Sequence, residues 1–223
     1  MNVLQLENVS YHYAESDKMV LENLSYIFEN GKVYSIVGRS GAGKTTLLSL
    51  LSGLAQPTEG RICLNGNDIR TMDQYEYRSQ CVGVIFQSFN LLPKLTAAEN
   101  VELSMEISGK ERGDKKAHAL ELLKEMGLNE DEAGRRVLKL SGGQQQRVAI
   151  ARALSYNPEI ILDDEPTGNL DSENEEHIVQ LLLKLAHEMD YVVIVVTHNP
   201  MVASSADVKM TMKDGRLLSI KKQ

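Results

Sequence analysis

Residues 38–45 read Gly-Arg-Ser-Gly-Ala-Gly-Lys-Thr, and no other stretch limits the fold so tightly. They lie between a β-branched run at 32–37 and a leucine-rich stretch that reaches residue 54. The octet fits GxxxxGK[ST] in full. Gly38, Gly41 and Gly43 let the backbone curl so that its N–H groups converge on an anion. A helix opening at the end of the loop adds partial positive charge. Arg39, Ser40, Ala42 and Thr46 complete the expected cradle. Lys44 is placed to reach the β- and γ-phosphates of a nucleotide, and Thr45 to ligate Mg²⁺. Such a loop needs a strand before it and a helix after it, which ties the chain to an α/β layer architecture.

The rest of the chain agrees. Strands are expected at 3–9, 20–28, 61–64, 82–86, 159–163 and 191–196, with a terminal hairpin turning at Asp214-Gly215. Helices are expected at 43–54, 96–107, 115–126, after Ser141, and at 171–189. Thr96 with Glu99 forms a capping-box pattern, and Gly127 ends the helix before it. Residues 87–140 are helical and strand-poor, and read as an insertion; 1–86 and 141–223 then form the core. Strands alternating with helices imply a mostly parallel sheet covered on both faces.

Composition excludes several classes. A net charge of -7 over 223 residues is not the footprint of a nucleic-acid binder. Cys63 and Cys81 belong to no CxxC motif, and the five histidines have no ligand spacing, so a zinc site is not expected. The longest strongly apolar run, 191–196, is far short of the roughly 18 residues of a membrane span. The first ten residues do not resemble a signal peptide.

Two further segments carry chemistry. Ile160-Ile161-Leu162-Asp163-Asp164-Glu165 is an apolar strand ending in three acids, able to hold a metal ion and polarise an attacking water. Spacing alone leaves open which pair of the three works. Leu140-Ser141-Gly142-Gly143-Gln144 is a second anion-binding turn: Ser141 is an N-cap, Gln144 completes a capping box, and the glycines expose backbone N–H groups.

Leu140 to Gln144 is identical to the signature of the ABC ATPases, and over essentially its full length the chain resembles that family. Residues 38–45 match its Walker A loop and Gln87 its Q-loop glutamine, which serves metal and γ-phosphate. The hydrophobic-Asp-Glu-Pro-Thr register makes Asp164 the magnesium aspartate and Glu165 the catalytic base, leaving Asp163 as an extra acid. Asn169-Leu170-Asp171 matches the D-loop, and His198 the switch histidine. Tyr13, with Tyr11 as the alternative, matches the aromatic that stacks on adenine. Residues 89–101 and 167–171 are similar to the branch that serves lipoprotein release, macrolide export and antimicrobial-peptide resistance.

The resemblance implies a P-loop NTPase (RecA-like) α/β fold with an N-terminal antiparallel β part and a helical insertion. It implies ATP and Mg²⁺ as cofactors, and an ATP-dependent homodimer in which Ser141 and Gly143 of one copy meet the nucleotide of the other. It further implies integral membrane permease subunits as partners, no nucleic acid, and a cytoplasmic place against the inner face of the membrane. The function implied is ATP hydrolysis powering export or extraction of a substrate. The alternative is a regulatory ATPase that signals across the membrane without transport.

Overall fold

The computed structural model describes residues 3–14, 16, 18–110, 113–168 and 172–222. Asn169, Leu170 and Asp171, the expected D-loop, lie outside them.

Two sheets form the frame. The first is antiparallel: β1 (Val3–Tyr11), β2 (Leu21–Glu29), β4 (Glu59–Leu64) and β5 (Asn67–Asp68), in the order β2-β1-β4-β5. The second holds β3 (Lys32–Val37), β6 (Val82–Ile85), β7 (Ile160–Asp164), β8 (Val192–Val196), β9 (Val208–Lys213) and β10 (Arg216–Lys222). Its order is β10-β9-β3-β8-β7-β6, and every pairing from β9 to β6 is parallel. All five residues of β8 are buried. That is why β8 reads as an unbroken Val/Ile run rather than an alternation: it is covered on both faces.

Helix α1 (Lys44–Leu51) packs between the sheets. Its Leu47, Leu50 and Leu51 join Leu4 and Phe28 of the antiparallel sheet and Ile160, Leu162 and Ile194 of the parallel one. The opposite face of the parallel sheet is covered by α6 (Gly142–Leu154) and α7 (Ser172–His187), and α3 (Ala97–Ser108) and α4 (Lys115–Glu125) pack against α6. The short α2 (Gln74–Glu76) runs into a π turn at Tyr77–Cys81. Helices α5 (Glu130–Ala133) and α8 (Pro200–Ser205) complete the chain.

The caps behave as expected. Both bonds of the capping box form at Thr96/Glu99 and at Ser141/Gln144. A third box, Asn129/Glu132, opens α5. Helices α5 and α8 were not anticipated because four to six residues are too few for a 3.6-residue period to show. Helix α1 ends at Leu51, three residues earlier than expected, because Ser52 and Gly53 close it, with Gly53 at φ 71°.

Candidate active site

The loop after β3 is held by its neighbours. A Cβ at Gly38 would lie 2.3 Å from the Met212 carbonyl oxygen of β9. Gly43 has φ 102°, and a Cβ there would meet the Leu21 side chain at 2.7 Å. Only glycine fits either position, so the motif's first and last glycines are steric requirements of the fold as well as of the ligand. Lys44 Nζ donates to the carbonyls of Gly38 at 2.7 Å and Arg39 at 3.2 Å, folding its charge over the loop. Ala42 is buried in the core and Arg39 is exposed, so these two serve the loop through backbone.

A cleft of about 560 Å³ opens in front of this loop. Gly38, Ser40, Gly41, Gly43, Lys44, Thr45 and Thr46 line one side. Gln87, Asp164, Glu165 and His198 converge from the ends of three strands, and Tyr13 stands at the rim. Nearly every residue expected at the phosphates is therefore brought together. Val20 and Val196 also line the cleft, with no motif to announce them. A larger hollow of about 1180 Å³ lies along α4 and α5 and carries none of these side chains.

The pleat decides among the three acids. Side chains alternate along a strand, so Ile160, Leu162 and Asp164 face α1 while Ile161 and Asp163 face the helical layer. Asp164 lines the cleft. Burial, with Glu165 nearby, raises its carboxyl above the usual range, and Lys44 opposes that shift. Asp163 is 0% exposed and neither carboxyl oxygen has a hydrogen-bond partner. Burial first, then Asp164 and Glu165, pushes it well above the carboxylate range. The extra acid is thus buried on the far side of the sheet, outside the cleft.

Glu165 sits just past the strand at φ 60°, a left-handed conformation that costs a side-chain-bearing residue about 1 kcal/mol. The turn aims its carboxylate back into the cleft beside Asp164. Glu165 Oε2 accepts the His198 backbone N–H at 3.1 Å and lies 2.8 Å from His198 Nδ1. The imidazole is 73% exposed and the Glu165 side chain 14% exposed, so the pair opens to solvent on the histidine side. Behind it, Asn199 Nδ2 donates to Thr167 Oγ1 at 3.1 Å, tying the two strand ends together.

Tyr13 is 52% exposed and Tyr11 is half-buried, packed edge-on to it with ring centroids 5.2 Å apart. Tyr13 also shares a hydrogen bond with Thr46 at 3.1 Å, which ties the ring to the phosphate loop. Thr45 is exposed in the same cleft as Asp164 and Gln87. Asp164 offers a carboxylate and Thr45 and Gln87 offer neutral oxygens, a donor set that fits a hard divalent ion such as Mg²⁺.

The turn at 141–144 lies elsewhere. Ser141, Gly142, Gly143 and Gln144 do not line this cleft. Ser141 is exposed, and its hydroxyl accepts the Gln144 N–H. The Gln144 side chain is committed to its own chain: Oε1 accepts the Ser141 N–H at 2.8 Å, and Nε2 donates to Glu132 Oε1 at 2.7 Å. Gln144 therefore shapes the turn, with Glu132 as a partner that no motif flagged.

The loop after Gln87 is strained and clamped. Phe89 and Asn90 have φ 60° and 48°. Arg152, from α6, donates Nη2 to the Phe89 carbonyl at 2.8 Å and Nη1 to the Asn90 carbonyl at 2.6 Å. Burial lowers its pKa. Beside it runs a groove of about 390 Å³ that includes Leu54, Leu92 and Ile107. Those three are 63%, 45% and 49% exposed. Leu91 instead packs against the core.

A family model described as ABC transporter matches residues 21–168. The chain is 43% identical over 215 residues, 96% of its length and 95% of the relative's, to the uncharacterized ABC transporter ATP-binding protein YclH of Bacillus subtilis (strain 168). Among solved structures it matches MJ0796, a bacterial ABC transporter cassette, at TM-score 0.88 and 41% identity, covering 98% of both chains. MJ0796 has been seen as a dimer, and as a dimer in a post-hydrolysis state bound to ADP and Pi. The match to cbiO1 from Clostridium perfringens, part of the ABC transporter complex cbiONQ, has TM-score 0.88 and 28% identity over 98% of this chain and 88% of that one. The phosphate loop, the acids beside it and relatives this similar give one conclusion: the chain belongs to the ABC transporter family, as an ATP-binding subunit that hydrolyses ATP.

Proposed function

We propose that the chain is the motor of a transport assembly, in which two copies close head to tail on two ATP molecules and drive permease subunits in a membrane. One observation carries this reading. The molecule has two anion-binding features, the cleft at 38–45 and the capped turn at Ser141, and the turn does not line the cleft of its own chain. A second copy related by a twofold axis supplies each cleft with the missing turn.

Within one cleft, Lys44 and the loop N–H groups hold the β- and γ-phosphates. Tyr13 stacks on the base. Thr45, Asp164 and Gln87 would hold Mg²⁺, which offsets charge on the phosphates when bound. Glu165 orients and polarises the attacking water, and His198 steadies the Glu165 carboxylate and then the γ-phosphate. Ser141 and Gly143 of the second copy close over the γ-phosphate. Loss of that phosphate removes the contacts that hold the copies together.

The groove at Leu54, Leu92 and Ile107 suits a helix of a permease subunit, since its exposed apolar side chains sit beside the clamped loop after Gln87. Likeness to a subunit of cbiONQ supports a permease partner, and the export-type motif pattern supports export or extraction of a substrate. No helix among the described residues is long and apolar enough to cross a membrane.

Glu165→Gln tests the reading. It is expected to keep ATP binding, abolish turnover and run as a dimer on sizing in Mg²⁺-ATP. A species that stays monomeric under those conditions contradicts the two-copy arrangement.

A further inference from the structure

Helix α6 begins with the capped turn, and something must fix the direction in which that turn offers its N–H groups. Gly143 has no side chain to do so, and glycine costs a helix about 1 kcal/mol relative to alanine. The space a Cβ would fill is taken by Asn174, in the first turn of α7. Its Oδ1 lies 2.3 Å from the ideal Cβ position of Gly143 and its Cγ lies 2.6 Å away. The same Oδ1 accepts a hydrogen bond from Arg147 Nη1 at 3.4 Å. Arg147 follows Gly143 by four residues, on the same face of α6. Arg147 Nε is buried without a hydrogen-bond partner, so this guanidinium is tightly confined against α7. One neutral amide thus rests on the Gly143 backbone and holds the next turn of the helix.

Helix α7 follows β7, the strand that carries Asp164 and leads into Glu165. We propose that Asn174 is a positioning residue for hydrolysis. It sets the Ser141–Gly143 turn against α7, the helix that follows the strand leading into Glu165. The proposal rests on the two-copy reading: the turn and the acids of one chain then serve two different ATP molecules, and Asn174 couples those sites through a single chain. Neutrality is part of the design. An aspartate of the same shape would keep an acceptor for Arg147 but place an anion against a turn that must receive a γ-phosphate.

The test uses the full chain carrying Glu165→Gln, sized in Mg²⁺-ATP at increasing salt, with N174A or N174D added. N174D is expected to weaken the ATP dimer by about tenfold at low salt, and most of that loss should disappear at high salt, where charges are screened. N174A is expected to weaken it by about fivefold at every salt concentration, because it removes a contact rather than adding a charge. ADP affinity should match the parent in both, and only N174A should lower the melting temperature slightly, since Arg147 loses its acceptor. With Glu165 restored, N174A should lower kcat and the cooperativity of ATP hydrolysis while leaving ADP affinity unchanged. Dimers equal to the parent at all salt concentrations would overturn the proposal. So would parallel losses of melting temperature and ADP affinity, which would make Asn174 a packing residue only. If Glu165→Gln alone does not dimerise, the two-copy reading fails and takes this proposal with it; a parent dimer indifferent to Asn174 sinks the proposal alone.

Discussion

At the scale of single residues, Asp163 shows most clearly what strand geometry adds to a motif. Three consecutive acids cannot be ranked by spacing, and the pleat separates them: one goes under the helical layer, and two line the cleft. Spacing could not settle this because the phase of the strand is fixed only once its neighbours are in place. The burial of Asp163 has a measurable sign. Its folded-state pKa lies above its unfolded value of about 3.9, so between the two values the folded protein binds the extra proton. Stability from this group is therefore lost as pH rises, by up to about 1.4 kcal/mol per pH unit across that window. Asp163→Asn should remove the slope, so that in urea titrations of nucleotide- and metal-free protein the variant gains on the parent from pH 4.5 upward. A constant difference across pH would show that the Asp163 carboxyl titrates alike in the folded and unfolded chains. Lys44 was legible from its motif alone, and its ammonium is held by the Gly38 and Arg39 carbonyls. Lys44→Ala is expected to weaken ATP binding by about 10- to 100-fold, the value of a charge-assisted hydrogen bond, as calorimetry would register.

At the scale of elements, the strong local signals held. The capping boxes at Thr96 and Ser141 were readable because their chemistry is confined to four residues, and both form. Thr96→Ala should cost about 1 kcal/mol of stability, since Glu99 N–H loses its acceptor; denaturant unfolding at constant m-value would show it. What could not be read is how elements grip one another. Glu132 bonds Gln144, Arg152 bonds the loop at Phe89, and Asn174 fills the place of a Gly143 side chain. Each pair is distant in sequence and carries no periodic or motif signature, so nothing local announces it.

At the scale of the whole molecule, strand-helix alternation foretold a mostly parallel sheet, while the order β10-β9-β3-β8-β7-β6 could not be foreseen. Placing β3 between β8 and β9 is what brings His198 and Glu165 to the phosphate loop. The two-copy arrangement makes its own forecast. Ser141→Ala should depress ATPase activity while a single chain binds nucleotide almost normally, as fluorescence titration against turnover would reveal; weakened binding by the isolated chain would put the turn in its own cleft. Finally, Arg152 stands near one end of α6 and Ser141 caps the other. The 13 residues of α6 make a stiff rod about 20 Å long. One helix therefore holds the 89–90 loop at one end and carries the Ser141 turn at the other, so a substitution at Arg152 bears on both.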